Sequence, residues 1–155
     1  MSIERARAHL AKWNLQDRIR EFDVSSATVE LAAQALGVEN ARIAKTLSFM
    51  VDGRAILIVM AGDARLDNAR YKAQFGVKAR MIPPDEVEAM TGHAVGGVCP
   101  FGVNDGVAVY LDGSLRRFDT VFPAAGTGRS AIELTNDELE ACSGGVWIDV
   151  SRLNA

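Results

Sequence analysis

The chain has 155 residues, 48% of them hydrophobic, which is enough to build one core without disulfide or metal staples. Seventeen basic residues against 20 acidic ones leave a net charge of -3, which argues against a protein that grips long nucleic acid such as DNA by phosphate neutralisation alone. The longest apolar run, Ala55 to Ala61, falls short of the ~20 residues that span a bilayer, and the amino terminus has charge where a secretion signal has an apolar stretch. The expectation is therefore a cytoplasmic protein with no membrane partner, folded as one domain over residues 1–155.

Taken in chain order, Ser2 is placed to cap a helix with Ile3, Ala6, Leu10 and Trp13 on one face. This helix belongs to an amino-terminal extension, residues 1–24, that packs on the rest. In "SSATVELAAQALGV", Ser25 or Ser26 is the expected cap, Thr28, Leu31, Ala32, Ala35 and Leu36 form the stripe, and Gly37 ends the helix. The period then changes to that of strands. "TLSFMV" and "AILIVMA" flank Asp52-Gly53-Arg54 and read as a hairpin, the second run apolar on both faces and so a central strand.

"DARLDNARYKAQFG" returns to helical spacing through Leu66, Ala69 and Ala73, and "ARMI" reads as a short strand. In "PPDEVEAMTG", Pro84 suits the first helical position, Asp85 and Glu86 the positive end of the dipole, and Gly92 the stop. "VAVYL" and "LRRFDTV" flank Asp112-Gly113-Ser114 as a second expected hairpin. "SAIELT" reads as a strand, Thr135 and Glu138 as a capping box, Gly144-Gly145 as a stop and "VWIDV" as a last strand. Hairpins mixed irregularly with helices point to an α+β fold with a mixed sheet or partial barrel, not a doubly wound sheet.

Few motifs carry chemistry. Neither glycine cluster, Gly92 to Gly106 or Gly126 to Gly128, runs into a phosphate-binding Gly-Lys-Ser/Thr, and Gly96-Gly97 lacks the strand that a dinucleotide fingerprint follows. Neither G-x-S-x-G nor H-E-x-x-H occurs. His9 and His93 are too few for a histidine-rich metal site, and Cys99 and Cys142 match no zinc spacing, so neither metal nor cofactor is expected. Glycine-rich backbone does let N–H groups turn toward an anion or oxyanion. Lys45, entering a strand among Ala44, Leu47 and Phe49, either snorkels to an edge or faces a polar cavity. Cys99 is either a small core residue or a nucleophile with His93 as base. Basic residues gather at Arg65, Arg70, Lys72, Lys78 and Arg80, and again at Arg116, Arg117 and Arg129.

Three segments in order, "IAKTLSFMVDGRAILIVMAGDARLDNARYKAQFG", "GHAVGGVCPFGV" and "FPAAGTGRSAIEL", resemble the YbaK/EbsC family, which is similar to the editing domain of bacterial prolyl-tRNA synthetases. The resemblance spans roughly Ser25 to Val150 and implies a mostly antiparallel sheet or partial barrel surrounded by helices. It further implies a trans-acting aminoacyl-tRNA deacylase that needs no metal or cofactor. The expected substrate is a small aminoacyl ester of alanine, cysteine, serine or threonine at the 3′ acceptor end of tRNA for proline, with prolyl-tRNA synthetase a possible partner. A non-catalytic module that binds the acceptor end or a synthetase is the alternative. By the same resemblance Lys45, Gly96 and Gly97 are the catalytic set. Asp63, His93, Val98, Cys99, Pro100, Gly102, Ala125 and Gly126 border the substrate. Ala64 stands where synthetase-type domains place a histidine.

Overall fold

One tight hairpin organises the fold, seen in a computed structural model that describes residues 2–153. β2 (Ile43–Val51) and β3 (Arg54–Ala61) pair antiparallel from Ala44↔Ala61 to Val51↔Arg54. Asp52 and Gly53, at φ 51° and 78°, close them. Two successive left-handed residues make the turn whose twist matches the flanking strands, so Arg54 already belongs to β3. Every residue of β3 after Arg54 is buried, as its unbroken apolar run requires.

Around this hairpin lies a six-stranded sheet ordered β8-β6-β2-β3-β5-β9, built with β5 (Ala108–Asp112), β6 (Thr120–Pro123), β8 (Leu134–Thr135) and β9 (Val146–Ile148). Two short ribbons pair β1 (Arg20–Glu21) with β7 (Ser130–Ala131), and β4 (Ala64–Leu66) with β10 (Ser151–Leu153). Four of the seven pairings are antiparallel, and helices flank the half-barrel that results.

The helices follow their local signals. α1 spans Ser2–Leu10, and the side chain of Ser2, its expected cap, lies outside the described residues. Ala6 and Leu10 are fully buried in the main core beside Tyr71 and Phe101, while Trp13 falls beyond the helix end and is 40% exposed. α2 (Val29–Leu36) is capped by Thr28, whose hydroxyl accepts from Leu31 N–H, and not by Ser25 or Ser26. α4 (Pro84–Thr91) and α5 (Asn136–Ser143) begin and end where expected, α5 with its full Thr135/Glu138 capping box. Each fully buried large side chain, Leu57 or Phe101 for example, contributes about 1.5–3 kcal/mol.

Four expectations are corrected. Leu66 is in β4, and α3 (Asn68–Phe75) starts only after Asp67, whose carboxylate caps Arg70 N–H. Asp112-Gly113-Ser114 does not turn a hairpin, because β5 and β6 lie on opposite sides of the central hairpin. Buried Asp112 instead accepts from Ser114 N–H at 3.0 Å, Val150 N–H at 2.9 Å and the Ser151 hydroxyl at 2.5 Å, which pins the chain into a 3-10 turn over Gly113–Arg117. "SAIELT" is split into β7 and β8, which pair with different strands, and "ARMI" gives one bridge, Met81 to Phe49.

Candidate active site

Between β2, the start of α2 and the region of α4 lies a cavity of about 390 Å³. Its walls are mostly apolar, with Ile43, Phe122 and Ala32 on the α2 side and Ile82 and Val87 on the α4 side. Lys45 is the sole ionisable side chain among the described lining residues. Its Nζ donates to Ala64 O at 2.5 Å and more weakly to Gly62 O at 3.4 Å. An ammonium has three donors, so these two carbonyls fix its direction and leave one N–H for a ligand. Burial lowers the Lys45 pKa, opposed by the negative charge of Asp63. The lysine is thus half-buried and held by backbone carbonyls in the wall of this mostly apolar cavity.

One glycine loop closes another wall, backed by a second. Gly96 (φ 91°) and Val98 line the cavity, and Gly97 sits behind them against the second loop. A Cβ on Gly97 would meet Gly126 O and Thr127 Cα at 2.6 Å, so only glycine permits this approach. The Gly97 N–H is committed to Ala94 O at 3.0 Å. Among the described residues, the Gly96 and Val98 amides have no protein acceptor.

Other expected site residues lie outside the lining. His93 is fully buried, its Nε2 2.6 Å from Phe101 O, and burial lowers its pKa. That contact makes Nε2 the protonated nitrogen, so it cannot take a proton from Cys99 Sγ, 3.6 Å away. Burial pushes the Cys99 thiol up to about 12, the opposite of an activated thiolate. Gly102 backs onto Arg5 O, Ala125 is fully buried, Gly126 touches Gly97 from behind, and Pro100 is buried off the cavity. The Asp63 carboxylate faces Arg117, at 2.5 and 3.0 Å, and the guanidinium holds it below the usual carboxylate range.

Sequence reasoning missed two hydroxyls in the lining. Ser26 Oγ and Thr46 Oγ1 are buried in the cavity wall with no hydrogen-bond partner in the protein. An unsatisfied buried hydroxyl costs about 1–3 kcal/mol. Thr46 had a signal in its place next to Lys45. Ser26 had none, since it looks like a helix cap until Thr28 takes that role and Ser26 N–H bonds to Gly128 O at 2.7 Å. Among the described residues no group of three His, Cys, Asp or Glu comes together to hold a metal ion, and no helix is long and apolar enough to cross a membrane.

A half-barrel with a lysine-bearing cavity walled in part by a glycine loop agrees with the sequence comparisons: the chain belongs to the aminoacyl-tRNA editing domain family, whose model matches residues 23–142. It is 54% identical over 154 residues to the uncharacterized protein YwhH of Bacillus subtilis, covering 98% of both chains. It is 27% identical to the candidate Cys-tRNA(Pro)/Cys-tRNA(Cys) deacylase EbsC of Enterococcus faecalis, over 80% of this chain and 77% of that one. A crystal structure described as a candidate trans-editing enzyme for prolyl tRNA synthetase superposes with a TM-score of 0.88 at 34% identity, covering 97% of each chain. The proline–tRNA ligase of Solidesulfovibrio magneticus is 36% identical over 90 residues, 57% of this chain and 15% of the ligase.

Proposed function

We propose that this protein hydrolyses, in trans, the ester of a mischarged aminoacyl-tRNA carrying alanine, cysteine, serine or threonine. The tRNA is that for proline, bound by its 3′ acceptor end, with prolyl-tRNA synthetase as partner. The likeness to EbsC and to proline–tRNA ligases supports the tRNA. The observation that carries the reading is Lys45, its ammonium held by the Ala64 and Gly62 carbonyls, in the wall of a small cavity with no other ionisable group among its described lining residues.

Such a cavity has no side-chain base, so the reaction must rest on position and charge. An aminoacyl ester is already activated, and the tRNA's terminal ribose hydroxyl aligns the attacking water. Water adds to the carbonyl carbon, the ester C–O bond breaks, and the departing ribose oxygen takes up a proton. Lys45 stabilises negative charge at the ester or the terminal phosphate. The Gly96 and Val98 amides are the open donors for the oxyanion, one such donor being worth about 3–4 kcal/mol. The need for a second site follows from binding arithmetic. One methylene gives a synthetase only about 1–3 kcal/mol of discrimination, so a site that admits only smaller residues removes the errors.

The test is deacylation of tRNAs charged with alanine, cysteine, serine, threonine and proline. One misacylated species is hydrolysed rapidly, and Lys45→Ala slows it by about 10²–10³ with the fold intact. Equal rates for the two proteins would refute the role of Lys45. No turnover of any species by folded protein with the synthetase supplied would instead assign a non-catalytic tRNA-binding module.

A further inference from the structure

In β4 and β10 the register sets Arg65 directly opposite Arg152. Cross-strand partners project from the same face, and both residues are exposed. Like charges in that position repel, and among the described residues no ion pair offsets the repulsion. Neither guanidinium has an ion pair or hydrogen bond among the described residues. Two of the acids near in sequence are otherwise engaged: Asp63 is bound to Arg117 and Asp67 caps α3. A third arginine braces the ribbon, since Arg70 donates from Nη1 to Ser151 O at 2.9 Å. In a chain of net charge -3 this is a local excess of positive charge.

Its place matters as much as its sign. The carbonyl that anchors Lys45 belongs to Ala64, the residue before Arg65, so the ribbon begins beside the lysine. Arg65 is near enough for its charge to oppose that on Lys45. A tRNA whose ester reaches Lys45 has its acceptor stem, beyond the CCA end, within reach of this ribbon. Paired arginines are suited to its phosphates, because guanidinium groups bond phosphate oxygens without reading bases.

We propose that the outer face of the β4–β10 ribbon, Arg65 and Arg152 side by side with Arg70 beside them, docks the phosphate backbone of the tRNA acceptor stem while the ester lies at Lys45. This rests on the editing reading for the identity of the RNA, and its test separates the two.

The experiment compares the full chain with R65Q/R152Q in two assays. Binding of uncharged tRNA for proline is followed by fluorescence anisotropy across a salt series. Deacylation KM is measured for the misacylated tRNA and for an aminoacylated CCA trinucleotide. The variant is expected to bind tRNA about tenfold more weakly, with a log–log salt slope shallower by about 1.4–1.8, as loss of two phosphate contacts requires. Its KM for the trinucleotide stays unchanged, and its melting temperature holds or rises because the repulsion is gone. Unchanged tRNA affinity and slope would overturn the docking surface, as would equal weakening toward tRNA and trinucleotide. Where the wild type deacylates nothing, the editing reading falls, and the anisotropy arm still decides the docking surface.

Discussion

Gly97→Ala is the sharpest probe of the loop wall, because the obstacle is backbone and cannot swing aside. The added methyl would lie 2.6 Å from Gly126 O and Thr127 Cα and 2.7 Å from Gly126 C, whereas ordinary contact begins at 3.4 Å. The two loops must therefore part by about 0.8 Å, an overpacking change that typically costs about 1–3 kcal/mol. Gly96, next in the chain, lines the cavity, so the same movement displaces its amide relative to Lys45. A misplacement on this scale costs up to about 10²-fold in rate. Urea unfolding and deacylation kinetics on one preparation measure both effects, and kcat/KM should fall at least tenfold in protein that remains folded. Wild-type stability and wild-type kcat/KM together would refute the claim that close loop contact sets the site.

Cys99→Ala should keep deacylation within about twofold of wild type while lowering stability by about 1 kcal/mol, the cost of one buried heavy atom; a hundredfold loss in folded protein would restore the thiol mechanism. Asp63→Asn tests the Arg117 pair through its pH dependence. The folded carboxyl titrates below its unfolded value of about 3.9, so its contribution is full above that pH and lost as pH falls through the lower folded value. The variant should melt below wild type at neutral pH, and the two melting curves should converge under acid conditions. A gap constant with pH would contradict the ion pair.

The readings that the structure reproduces rest on neighbours close in sequence. Asp52-Gly53 determines its turn through two backbone angles, Pro84 and Gly92 delimit α4, and Thr135 and Glu138 bond to each other's backbone three residues apart. The order of the K-T-L, G-G-V-C-P and A-A-G segments carried the family. By contrast, Asp112-Gly113-Ser114 has the composition of a hairpin turn, yet Asp112 is bonded to Val150 and Ser151, almost 40 residues on, and no local pattern encodes that. His93 and Cys99 show the same limit: the glycine loop was legible as a loop, but which side faces the cavity depends on packing against α1 and the second glycine loop.

By itself, then, the sequence determined the helices, the central hairpin, the α+β class and the family, because these follow from contacts within a turn or two and from motif order. Only the tertiary structure decided that Lys45 lines a cavity, that the Ser26 and Thr46 hydroxyls are left without partners in its wall, and that Arg65 meets Arg152. Each of those depends on chain segments brought together across the fold, where the partner of a polar group is set by the packing of elements and not by its neighbours in the chain.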